Sequence, residues 1–186
     1  MSKVTFILFI GGYNMSLKKL KILGVIIAFL IAFPLHFLYD KFPSFLTSII
    51  APVNESIFEH MKIIFGSILF SGIIQKIIVI KKDLKYNNIC ISNVISGLLS
   101  IFIFLAIFLP VYTIIGENFV VTIIIMFITF IISQLITIYI INKKNMKLEN
   151  VAIILTILVY IIFGVLTYFP INNFLFTDPI TKQLGI

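Results

Sequence analysis

The sequence has no arginine, no tryptophan, a single cysteine and only seven acidic residues among 186. Without arginine, the net charge of +7 rests on 14 lysines alone. One cysteine, Cys90, excludes an internal disulfide and leaves the redox compartment unread. Charged residues make up 11% of the chain, whereas soluble domains average near a quarter. That shortage excludes a soluble enzyme, a nucleic-acid-binding domain and a disordered chain. Also missing are a P-loop, a G-x-S-x-G elbow, a dinucleotide fingerprint and an H-E-x-x-H pair, so nucleotide-driven chemistry is not indicated.

In place of charge there is length of apolar chain. Hydrophobic residues make up 61%, and the mean hydropathy is +1.20. Five apolar runs stand out, near residues 20–39, 61–80, 91–115, 119–141 and 151–169. Each has about the length that a helix needs to cross the hydrocarbon layer. In lipid each must be helical, because an open strand edge would leave backbone groups unpaired. The expected fold is therefore all-α, a polytopic membrane bundle of about five helices forming one domain over residues 15–186. Residues 41–60 read as an interfacial connection, 170–186 as an outer-face tail, and Gly116-Glu117-Asn118 as a tight helical hairpin. Val4 to Ile10 is too short to span. Since Met15-Ser-Leu-Lys-Lys-Leu-Lys reads like a second start, residues 1–14 are expected to be an extension of little structural weight.

Lysine placement sets orientation, because positive loops stay in the cytoplasm. Lys3, Lys18, Lys19 and Lys21 precede the first run. Lys76, Lys81, Lys82 and Lys85 follow the second, and Lys143, Lys144 and Lys147 follow the fourth. Only Lys41, Lys62 and Lys182 fall on the opposite side. The N-terminus is expected inside and the C-terminus outside, in a cell membrane of bacterial plasma-membrane type. The same alternation puts Asp40, Glu55, Glu59, Glu117 and Asp178 outside, together with both histidines.

Those outer residues are the chemically capable ones. His36 and Asp40 are spaced i, i+4, so a continuous helix would stack them on one face, just beyond the loosening expected at Pro34. Asn54 is a good N-cap residue and Glu55 suits a first turn. Glu55, Glu59 and Lys62 then follow i, i+4, i+7 along one face. Ser56 and His60 begin a second face, continued by Ser67, Ser71 and Gln75. A polar stripe in hydrocarbon must face other helices or a wet cavity. Glu55 and Glu59 are the candidate catalytic carboxylates, and His36, Asp40 and His60 are the candidate ligands for a divalent metal such as zinc. Asn54, Lys62 and Asp178 are candidate supporting residues. The plainer account is an ion-pair ladder at headgroup level with the histidines snorkelling. For the tail, a free end competes with a fold that returns Asp178 over the outer face.

His36-x-x-Tyr39-Asp40, Pro52-Val-Asn-Glu-Ser-x-Phe-Glu-His-x-Lys62 and Asp178-Pro-x-Thr-x-x-x-Gly-Ile186 together resemble a family of small bacterial membrane proteins known as a domain of unknown function. The resemblance runs from about Met15 onward and implies a shared architecture and shared marked residues, but no reaction. The family tail reads Asp-Pro-x-Thr-Gly-x-Tyr-Gly-Ile, and here Lys182 and Leu184 stand at the Gly and Tyr positions.

Three expectations follow. One is a metal-dependent hydrolase or transferase embedded in the bilayer, acting on a lipid-like substrate. Another is a transporter of a small solute or cation, or the substrate-binding subunit of one. The third is a non-catalytic membrane partner protein. The bilayer is the expected surrounding in every case, and no nucleic-acid partner is expected.

Overall fold

A computed structural model describes residues 15–116 and 118–186. The expected N-terminal extension, residues 1–14, and Glu117 of the outer acidic set lie outside the described residues. The described chain is helical: α1 Leu17–His36, α2 Leu38–Lys41, α3 Phe45–Ile50, α4 Ile57–Lys81, α5 Ile89–Ile115, α6 Phe119–Ile141 and α7 Glu149–Tyr168. Five of these, α1 and α4 to α7, are long and apolar enough to cross a membrane.

The spans differ from the apolar runs mainly at their ends, where caps rather than hydropathy set the limits. α1 begins at Leu17 because Ser16 accepts a hydrogen bond from the Lys19 amide. It stops at His36, after Pro34 has removed a backbone donor. The hairpin between α5 and α6 has Gly116 at φ +72°, and Asn118 caps α6 by accepting from the Val121 amide. The segment read as an interfacial connection holds α2 and α3. Ser44 and Thr47 cap α3 reciprocally, and Phe42, Phe45 and Leu46 are exposed.

α1, α4, α5 and α6 pack in a ring, and α7 lies outside it against α5, α3 and the first turns of α4. α4 is the central helix, with 56% of its most apolar stretch buried against 22–33% for the other four. The bundle is apolar outside, and inside it combines small and polar seams with a cluster that includes Phe58, Phe65, Phe104 and Phe130. Gly24, Ala28 and Ala32 of α1 recur every four residues and are buried, which brings backbones close. Ile22, Ile26 and Leu30 on the opposite face are exposed, as are Ile153, Ile157 and Ile161 of α7. Such stripes suit contact with acyl chains.

Alternation gives the bundle two chemically distinct ends. One gathers the start of α1, the α4–α5 turn and the α6–α7 turn, and carries ten of the 13 described lysines. The other gathers His36, the α3–α4 connection, the α5–α6 hairpin and the C-terminal tail.

Candidate functional site

The cap of α4 decides which residues meet. Ser56, not Asn54, is the N-cap, accepting from the Glu59 amide at 3.3 Å. Asn54 instead closes an Asx turn, accepting from the Ser56 amide at 2.9 Å, while its amide nitrogen donates to the Gly185 carbonyl at 3.0 Å. α4 thus starts at Ile57, and Glu55 lies outside it. The expected i, i+4, i+7 face of Glu55, Glu59 and Lys62 does not form, because helical spacing holds only within a helix.

Freed from α4, Glu55 lies between the two histidines. Its Oε2 is 3.6 Å from His36 Nε2 and 3.5 Å from His60 Nε2. The imidazole rings meet edge to face, with centroids 5.4 Å apart. One ligating atom from each of the three residues lies within 4.8 Å of the others. Two ligand atoms on a tetrahedral ion sit about 3.4 Å apart when metal–ligand bonds are about 2.1 Å. Both measured separations match that edge, so His36, Glu55 and His60 could hold a metal with little movement. His60 Nδ1 donates to the Ser56 carbonyl at 2.9 Å, which fixes the ring with Nε2 toward Glu55. His36 Nδ1 is buried and has no hydrogen-bond partner. The His36 imidazole holds the Glu55 carboxyl below the ordinary carboxylate range; partial burial opposes this, and His60 adds to it.

The tail straps this loop in place. Asp178 is buried at 3% exposure, and its Oδ2 accepts from the Glu55 amide at 3.2 Å. Its Oδ1 accepts from the amides of Ile180 and Thr181 in an Asx turn. Burial pushes the Asp178 carboxyl up, but these amides outweigh it and hold the group below its usual range. Phe176 stacks on Phe58 of α4 at 4.4 Å, and the Phe58 amide donates to the Leu175 carbonyl.

The other expected residues have separate roles. Asp40 is exposed on α2, beyond the break at Phe37 that disrupts its i, i+4 register with His36. Glu59 and Lys62 are 1% and 0% exposed and form an ion pair at 2.6 Å. Glu59 also accepts from the Val53 amide and the Thr167 hydroxyl, and Lys62 donates to the Ser48 carbonyl. A buried pair satisfied on every side fastens α3, α4 and α7 together rather than standing free for chemistry.

The stripe along α4 is buried as its spacing predicted, since Ser67, Ser71 and Gln75 are each 0% exposed. Its partners were not legible in the sequence. Lys21, grouped above with the flanking lysines, is buried and donates to Gln75 Oε1 at 2.7 Å. Gln75 in turn donates to Gln134 of α6 at 3.3 Å. The signal available was a lysine inside the first apolar run and a glutamine inside the fourth.

A cavity of about 150 Å³ adjoins the histidines between the C-terminal end of α1 and the start of α6. Ala32, Phe33, Phe37, Phe119, Ile123 and Met126 form its apolar wall, with His36, Glu55 and His60 on one side.

An all-helical bundle with apolar outer faces, polar inner seams and five helices of spanning length defines a multi-pass membrane protein. The chain belongs to DUF6512, a family of unknown function, which it matches over residues 12–186. No curated protein and no solved structure matches it.

Proposed function

We propose that His36, Glu55 and His60 form a divalent-metal centre at the extracytoplasmic rim of a membrane-embedded hydrolase or transferase with a lipid-like substrate. The observation that carries this reading is the spacing of the three ligating atoms, two imidazole nitrogens around one carboxylate oxygen at separations suited to zinc. Three protein ligands leave a fourth position for water or substrate, and a bound divalent ion there would supply Lewis-acid polarisation and an acidified water. The chain's own residues support that use. Ser56 sets the His60 tautomer, and Asp178 holds the Glu55 backbone. The apolar cavity beside His36 fits an acyl or isoprenoid chain entering from the outer leaflet.

The test is metal content and affinity in purified protein, read by elemental analysis and titration with Zn²⁺. About one ion per chain is expected, with loss in His36→Ala, His60→Ala and Glu55→Gln but retention in Asp40→Asn. Because both histidines must be deprotonated to bind, affinity should fall as pH drops through the imidazole range. Protein that stays metal-free in micromolar Zn²⁺ rules the centre out.

A transporter reading draws on a different observation, the buried polar run from Ser67 through Gln75 to Lys21. It requires a solute or cation flux in proteoliposomes that His36→Ala leaves intact and Gln75→Leu removes.

A further inference from the structure

The lysine-rich end carries a second composite cavity, remote from the histidines. α7 meets α4 near the histidine end, where Tyr160 and Phe163 pack on Phe58 and Phe65, but toward the lysine-rich end the two helices part and leave a groove floored by α5. This groove, of about 320 Å³, is lined by Leu69, Gly72, Ile73, Val94, Ile153 and Ile157, among others. It meets a polar cavity of about 520 Å³ lined by Asn87, Asn88, Asn145, Lys147, Glu149 and Asn150. Lys76, Ile80 and Cys90 belong to both walls, so the two spaces are continuous.

Two features of this space point to an amphiphile with a negative head. The first is charge. Lys76 reaches from the apolar groove toward the polar cavity, where its partners among the described residues are Cys90 Sγ at 3.0 Å and Glu149 at 3.5 Å. A phosphate would be a stronger acceptor than the thiol. Lys147 lines the same cavity, and Lys81, Lys82, Lys143 and Lys144 lie in the adjoining turns. The second is the order of surfaces, polar beyond the helix ends and apolar along them, which is the order of headgroup and acyl chain across a leaflet.

We propose that this cavity binds one anionic phospholipid of the lysine-side leaflet, with its phosphate at Lys76 and one acyl chain in the groove between α4 and α7. The proposal is independent of the metal centre. Because Cys90 is the chain's sole cysteine and lies where head and chain would join, it reports occupancy directly.

The experiment uses the full chain in nanodiscs of phosphatidylcholine, with or without phosphatidylglycerol. The rate of Cys90 labelling by a small uncharged maleimide is read in each. Phosphatidylglycerol should slow labelling several-fold. The ratio of rates between the two lipids, taken within each variant, should approach one in Lys76→Gln and in Ile153→Trp, which fills the groove. Native mass spectrometry of the wild-type protein should show one retained phosphatidylglycerol and no phosphatidylcholine. Equal labelling of the wild type in both lipids overturns the proposal. So does retention of the zwitterionic lipid alone, or a ratio that survives in Lys76→Gln.

Discussion

Glu55 gets its place from three short-range events: the Asx turn at Asn54, the cap at Ser56 and the amide bond to Asp178. The first two move it off α4, and the third fixes its backbone. Its carboxyl, 37% exposed, sits between His36 and His60 and is held below the ordinary range. A lowered carboxyl contributes stability that is full above its unfolded value, about 4.3, and is lost as pH falls through the lower folded value. Glu55→Gln should therefore flatten the acid limb of Tm against pH between about pH 5 and pH 3. An acid limb as steep as that of the wild type would show that Glu55 has no such linkage. At this scale the sequence names the right residue types but cannot sort them. Glu55 and Glu59 look equivalent by spacing, yet a cap two residues further on sends one to the histidines and the other into a buried ion pair with Lys62.

The tail is the element on which site geometry depends most. Thr177 and Leu184 bridge its two arms, and Asn54 donates across to Gly185. Gly185 sits at φ +63°, and a Cβ there would collide with the Thr167 carbonyl, so both backbone and space require glycine. Lys182 adopts φ +62°, a left-handed conformation that costs a side-chain-bearing residue about 1–2 kcal/mol. A glycine would adopt this backbone without that cost. Lys182→Gly should therefore stabilise the tail by about 1 kcal/mol or less, after the added chain entropy of glycine is subtracted. Slower amide exchange over residues 177–186 would show this; faster exchange would mean that the Lys182 bond to the Pro179 carbonyl matters more than the strain. Helix identity was legible in the sequence, because 20-residue apolar runs admit little else in lipid. The fold of the tail was not. Its turns rest on backbone dihedrals and on contacts with Asn54 and Glu55 in the loop before α4, more than 100 residues away in sequence.

For the whole molecule, the division of lysines between the two ends predicts orientation. In a Cys90→Ser background, Lys182→Cys should react with a membrane-impermeant maleimide added to intact cells, and Lys85→Cys only after permeabilisation. The opposite pattern would move the histidines to the cytoplasm and the lysine-rich cavity to the outer leaflet. The central position of α4 also belongs to this scale. Its polar stripe shows that one face must be sheltered, but which helices shelter it follows from the ring of α1, α4, α5 and α6.

By itself the sequence determined that the chain spans a membrane in five helices, which end holds the lysines, and that both histidines share the other end. Hydropathy and charge act locally along the chain, so a linear reading captures them. The tertiary structure decided that His36, Glu55 and His60 converge, that Asp40 and Glu59 do not join them, and that Lys21 meets Gln75 inside the bundle. Those outcomes depend on caps, turns and helix contacts, which join residues that no sequence interval relates.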